Sequence, residues 1–169
     1  MRIAIAAALT ILALVSLPAD ACAQKLVFIT RHAERADGGA TSMMAKTDPA
    51  LSAAGEARAK KLAAMLADAG IEAIYVTEFR RTKDTAGPLA KNLGLTEQVY
   101  AAEGIDRLIG DLRGEHANGI VLIVGHSNTI PGIIKALGGP DVKIGDSEYG
   151  NLFVIVPGTG TMTRVRFSP

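Results

Sequence analysis

Leu26-Val27-Phe28-Ile29-Thr30, followed without a break by Arg31-His32-Ala33-Glu34, decides how the rest of this 169-residue chain is read. The run from Lys25 to Thr30 is short, apolar and β-branched, the pattern of a strand buried on both faces of a sheet. It ends abruptly on a cation and an imidazole. A buried strand whose carboxyl end carries such side chains belongs to an open α/β sheet, where ligands bind beyond the strand ends.

Working outward, the same alternation recurs. A polar stretch from Ala36 to Ala50, punctuated by Asp37-Gly38-Gly39 and Asp48-Pro49, reads as a loop. Ser52 is placed to cap a helix whose apolar spacing runs through Ala54, Ala57, Leu62, Met65, Leu66 and Ala69 until Gly70. On its other face Arg58, Lys60, Lys61 and Asp68 read as solvated surface. Ile71 to Val76 predicts a second strand, followed by a loop from Thr77 that holds Arg80 and Arg81. A helix from Thr82 to Leu93 should be bent or interrupted at Gly87-Pro88. Gln98-Val99-Tyr100 predicts a third strand, and Ile105, Leu108, Ile109 and Leu112 mark a helix reaching towards Asn118-Gly119. Ile120 to Val124 is a fourth strand, which Gly125-His126-Ser127-Asn128 leaves by a turn. Pro131 suits the first turn of a helix running to Gly138-Gly139-Pro140. Leu152–Val156 and Thr161–Phe167 predict a closing hairpin through Pro157-Gly158-Thr159-Gly160.

Strands alternating with helices predict an α/β fold, a three-layer α/β/α sandwich around a mostly parallel sheet made mixed by the hairpin. One domain suffices for this length. Net charge is +1 with basic residues scattered, and aromatics are 4% of the chain. Neither a phosphate-backbone footprint nor a base-stacking surface follows from that, so nucleic acid is not an expected partner.

The first residues read as a targeting segment. Arg2 precedes an apolar run from Ile3 to Leu17, Pro18 ends it, and Ala21-Cys22-Ala23 supplies a cleavage signal. The run is shorter than the roughly 20 residues of a membrane span. The expectation is a signal peptide over 1–23 and a mature domain over 24–169 beginning near Gln24, periplasmic or secreted and not membrane-bound after cleavage. Cleavage removes the only cysteine, leaving neither disulfide nor thiol nucleophile.

His32, Arg81 and His126 each follow a predicted strand and so converge on one sheet edge. Two arginines and two histidines suit a phosphoryl group better than a cation, because guanidinium forks match its oxygens. A neutral, aimed histidine can also attack phosphorus. Ser127-Asn128-Thr129 adds backbone N–H groups suited to an anion. Two other chemistries fail on the residues. Gly125-His126-Ser127-Asn128-Thr129 lacks the last glycine of a serine-hydrolase elbow, and no histidine follows it. The three histidines have no zinc-site spacing and no cysteine set. His116, near a helix C-terminus, reads as structural, and Arg35 and Arg80 as surface or pocket-rim charges.

Arg31-His32-Ala33-Glu34 resembles the R-H-G/A motif of the histidine phosphatase superfamily, in its phosphoglycerate mutase-like branch. Asp48-Pro49-Ala50-Leu51-Ser52-Ala53-Ala54-Gly55 is similar to that family's L-[ST]-x-x-G helix start. The segment from Thr77 to Ala86 is similar to its S-x-x-x-R-x-x-x-T-A segment, in a register that selects Arg81 over Arg80. Gly125-His126-Ser127 matches its second histidine. The chain is thus expected to be a small bacterial exported member. The resemblance implies a phosphatase acting on small phosphate monoesters through a phosphohistidine on His32, with no metal or other cofactor. Arg31, Arg81, His126 and Ser127 would hold the phosphoryl oxygens. Glu103 is the first candidate for the proton donor to the leaving group, with Asp106 and Glu34 behind it. Mutase activity, phosphohistidine-protein phosphatase activity and non-catalytic binding of phosphorylated ligands are the alternatives.

Overall fold

The computed structural model describes residues 26–38 and 48–169. The expected signal peptide, the cleavage site before Gln24 and the middle of the Ala36–Ala50 loop lie outside the described residues. Four strands alternate with four helices before a terminal hairpin. They are β1 (Leu26–Arg31), α1 (Ala53–Leu66), β2 (Ala73–Thr77), α2 (Arg80–Leu93), β3 (Gln98–Tyr100), α3 (Ile105–Arg113), β4 (Ile120–Gly125) and α4 (Ile130–Ala136), then β5 (Asn151–Val156) and β6 (Thr161–Arg166). The strands form one six-stranded sheet in the order β3-β2-β4-β1-β5-β6. β1 to β4 pair in parallel, while β5 and β6 run antiparallel. The fold is therefore α/β with a mixed sheet, as the alternation predicts.

The period-2 geometry of the strands divides the core in two. Val27, Ile29, Ala73, Tyr75, Val121 and Ile123 face one side, where α3 and α4 bring Leu108, Leu112, Ile130 and Ile133. Phe28, Ile74, Val76, Leu122 and Val124 face the other, where α1 and α2 bring Leu62, Leu66, Ala86 and Leu89. Burial on both faces explains why these strands read as unbroken apolar runs. The three layers follow directly.

Three of the helices differ from the sequence reading. α2 starts at Arg80, so Arg80 and Arg81 lie in its first turn and not in a loop. It also runs unbroken through Gly87-Pro88 to a left-handed Gly94 cap, because Thr82, Thr85, Ala86, Leu89 and Ala90 bury one continuous face. α3 ends at Arg113, with Gly114 as its cap, and residues 114–118 are turns. α4 is short, ending at Ala136 before the Gly138-Gly139 turn. Ser52 caps α1 as expected, accepting a hydrogen bond from the Gly55 N–H. Among the described residues no helix is long and apolar enough to cross a membrane.

Candidate active site

Parallel pairing of β1 with β4 fixes the centre of the site. Arg31 lies opposite Gly125, and the His32 N–H donates to the Gly125 carbonyl at 3.0 Å, extending the ladder by one residue. The next residues, His32 and His126, therefore emerge side by side, with ring centroids 5.3 Å apart in an edge-to-face arrangement. Both are buried. β2 flanks β4 on its other side, so the first turn of α2 delivers Arg81 to the same edge.

Each ring nitrogen has a task. His32 Nδ1 lies 2.8 Å from the Ala33 carbonyl oxygen; a carbonyl only accepts, so Nδ1 carries the proton and Nε2 keeps its lone pair. His126 Nδ1 accepts from an Arg81 terminal nitrogen at 3.4 Å. Its Nε2–H then donates to Thr77 Oγ1 at 3.0 Å, which is 3.0 Å from Thr82 Oγ1, and that hydroxyl donates to the Phe79 carbonyl at 2.7 Å. Both threonines are fully buried. This chain of hydroxyls sets the tautomer of His126.

The arginines are held, not free. Arg31 donates to the carbonyls of Gly145 and Asp146, at 3.0 and 2.8 Å, and its guanidinium carbon sits 4.1 Å from the centre of the Tyr149 ring. Arg81 lies 4.2 Å over the Phe79 ring and 3.6 Å from Asp48. Among the described residues the buried Nε–H of each guanidinium has no hydrogen-bond partner.

Burial pushes the His32 pKa down to about 3, assisted by His126, Arg31 and Arg81, although the Ala33 carbonyl opposes the shift. Burial and the same two arginines push His126 down to about 3. Both rings are neutral near pH 7. Burial lowers the pKa of Arg31 and of Arg81, and Arg35 lowers both further. The edge is a dense patch of positive charge around an unprotonated imidazole nitrogen, suited to attack on a phosphoryl group.

Comparison with known protein families matches residues 27–105 to the histidine phosphatase superfamily (branch 1). That match spans a little under half of the chain. Solved structures share the fold over about 85% of the chain. The protein histidine phosphatase SixA complexed with tungstate superposes with a TM-score of 0.61 at 19% identity, covering 85% of this chain and 97% of that one. An alpha-ribazole phosphatase from Shigella flexneri gives 0.66 at 14% identity, covering 85% and 96%. A mycobacterial glucosyl-3-phosphoglycerate phosphatase gives 0.64 at 15%, covering 85% and 98%. No curated protein matches the chain in sequence.

The motifs that carry the resemblance acquire physical reasons here. The Thr85 hydroxyl accepts from the Ala33 N–H at 2.9 Å and donates to the Arg81 carbonyl at 2.7 Å, tying the His32 turn to the helix that carries Arg81. Gly55 is small because the Glu34 backbone packs against it: a Cβ there would lie 2.3 Å from the Glu34 carbonyl oxygen.

Of the residues singled out in the sequence, the structure brings His32, Arg31, Arg81 and His126 together. Ser127 follows at the turn, half-buried. The Thr129 N–H is not available to an anion, because it bonds the His126 carbonyl at 3.1 Å. Arg80 points outward, paired with Asp84. Glu34 forms a forked ion pair with Arg58, so it holds the chain behind His32. Arg58 is consequently no surface charge: it also donates to the Phe167 carbonyl at 2.8 Å. Glu103 is exposed on the loop before α3 and has no hydrogen bond or ion pair among the described residues, and Asp106 is exposed in the first turn of α3. His116 bonds Glu72 at 3.0 Å, and the two precede β4 and β2, at the end of the sheet opposite the histidine pair. Phe79, Tyr149, Thr77, Thr82 and Asp48 escape the sequence reading, since none belongs to a residue class that advertises phosphate chemistry.

Proposed function

We propose that the protein is a phosphatase that hydrolyses phosphate monoesters through a phosphohistidine on His32. One observation carries this reading: the Nδ1–H of His32 is committed to the Ala33 carbonyl, which leaves Nε2 as the unprotonated nitrogen of a buried ring on which the charges of Arg31 and Arg81 bear. In the first step Nε2 attacks phosphorus, an N–P bond forms, and the P–O bond breaks with its electron pair passing to the departing oxygen. Water then attacks the phosphohistidine, breaking the N–P bond and releasing inorganic phosphate. Arg31, Arg81 and the N–H of Ser127 would stabilise the equatorial oxygens, where charge accumulates. His126 would join them once the charge of the bound phosphoryl group favours uptake of a proton from solvent at its Nδ1. Glu103 has nothing to hold it towards the histidine pair, and no step is assigned to it. The chain would act after export, with its mature form beginning near Gln24; the mass of the secreted protein tests that.

Hydrolysis of para-nitrophenyl phosphate in the presence of a chelator tests the chemistry, because its leaving group needs little protonation. Wild-type protein should turn it over and become labelled by phosphate on His32, and His32→Ala should do neither. A folded wild-type protein that binds inorganic phosphate without turnover would make it a binder of phosphorylated ligands instead.

A further inference from the structure

The chain has four Phe, three Tyr and no Trp. Phe28, Phe153, Tyr75 and Tyr100 are core residues, and Phe167 packs against the core. The remaining two, Phe79 and Tyr149, belong to no core cluster. Both stand at the histidine pair. Tyr149 lies 6.0 Å from the His32 ring, and Phe79 lies 5.4 Å from the His126 ring, edge to face. Each also carries one of the two site arginines on its face, at 4.1 and 4.2 Å. Both rings are only half-buried, so part of each surface remains open to a ligand.

A second observation concerns the proton that an alkoxide leaving group needs. The Glu34 carboxylate is clamped by Arg58. Asp48 accepts from the Arg80 N–H and faces Arg81, and Glu78 accepts from the Ala102 N–H. Among the described residues no carboxylate bonds either histidine, and the charged groups that bear on the two rings are the arginines and the rings themselves. A site without a positioned acid forgoes roughly 10²–10⁴ in rate on leaving groups that must be protonated. Phenolate-type leaving groups escape that penalty.

We propose that the phosphatase site is specific for aryl phosphates, with the planar leaving group held against Tyr149 and Phe79. This rests on the phosphatase reading above and narrows its substrate class. Offset or edge-to-face packing of a substrate ring on these two side chains would favour binding about five- to tenfold. An alkyl ester would lose both that contact and an easy departure.

The test compares phenyl phosphate, acetyl phosphate and glycerol 3-phosphate as substrates of the wild type, Tyr149→Leu, Phe79→Leu and Tyr149→Phe. Acetyl phosphate has a good leaving group but no ring, so its KM separates ring recognition from leaving-group quality. The wild type should show a KM for phenyl phosphate about five- to tenfold below that for acetyl phosphate, and a kcat for glycerol 3-phosphate lower by about 10² or more. Either leucine variant should erase the KM ratio, whereas Tyr149→Phe, which keeps the ring, should retain it. Equal KM values for phenyl and acetyl phosphate, or a ratio unchanged in both leucine variants, would overturn the aryl assignment and leave the phosphatase reading standing. No turnover of any of the three by folded wild type would overturn both.

Discussion

Gly55 offers a test in which packing alone sets the outcome. It sits in the first turn of α1 with no unusual backbone angle, so its conformational freedom is not at issue. An added methyl would lie 2.3 Å from the Glu34 carbonyl oxygen and 3.0 Å from the Glu34 nitrogen. Those are backbone atoms, and they cannot swing aside as a side chain would. Relieving the overlap means moving α1 or the chain behind His32, and the 2.9 Å hydrogen bond from the Ser52 N–H to the Glu34 carbonyl goes with it. Overpacking costs about 1–3 kcal/mol, the lost bond about 1 kcal/mol, and better helix propensity returns less than about 1 kcal/mol. The net is a loss of roughly 1–3 kcal/mol, or a Tm drop of roughly 3–10 °C for a domain of this size. Gly110→Ala is the matched control, because nothing lies within 4 Å of its added methyl in α3. There the same substitution should raise stability by about 0.5–1 kcal/mol. Thermal melts of both variants give the signs directly. Turnover of para-nitrophenyl phosphate by Gly55→Ala, measured well below its melting point, should fall by about tenfold or more, since the displaced segment carries His32. A Gly55→Ala protein that melts within a degree of wild type would refute the claim that the glycine is there to make room.

Acid sensitivity should follow from the two depressed histidines. The unfolded chain takes up protons below its ordinary histidine pKa of 6.5, while the folded chain does not until about pH 3. Stability is therefore full above pH 6.5 and falls as pH drops towards 3, each group approaching about 1.4 kcal/mol per pH unit; urea midpoints between pH 4 and 7 should slope less steeply in His32→Asn, and equal slopes would count against it. Thr77→Val leaves the His126 Nε2–H without its acceptor, and should lower kcat/KM about tenfold, from a penalty of about 1–3 kcal/mol. Thr77→Ser, which keeps the hydroxyl, should restore it. Arg58→Met breaks the forked pair with Glu34 and the bond to Phe167, and a loss of about 1.5–3 kcal/mol should appear in denaturant melts; an unchanged midpoint would mean that the pair contributes nothing.

The layers were legible because a doubly buried parallel strand has only one sequence pattern, and β1, β2 and β4 all show it. The histidines and Arg81 were legible for the same reason: each stands where such a strand or its following turn ends. What escaped was tertiary. Whether Arg58 is solvated or clamped depends on where Glu34 and Phe167 fall, and no local spacing encodes that. Pro88 looked like an interruption because propensity is local, whereas the buried face that keeps α2 whole is set by the sheet beneath it. Tyr149 and Phe79 are ordinary aromatics in sequence; their place beside the histidines comes from a loop and a helix start that meet only in the folded chain.

The grip on Arg31 has a consequence for the order in which the site is assembled. Its guanidinium is aimed by the carbonyls of Gly145 and Asp146 and by the Tyr149 ring, more than a hundred positions later in the chain. A growing polypeptide that has already made β1, α1 and α2 holds His32 and Arg81, but the carbonyls and ring that aim Arg31 are still to come. The full arrangement of both arginines and both histidines is thus completed late in synthesis, when the segment before β5 docks.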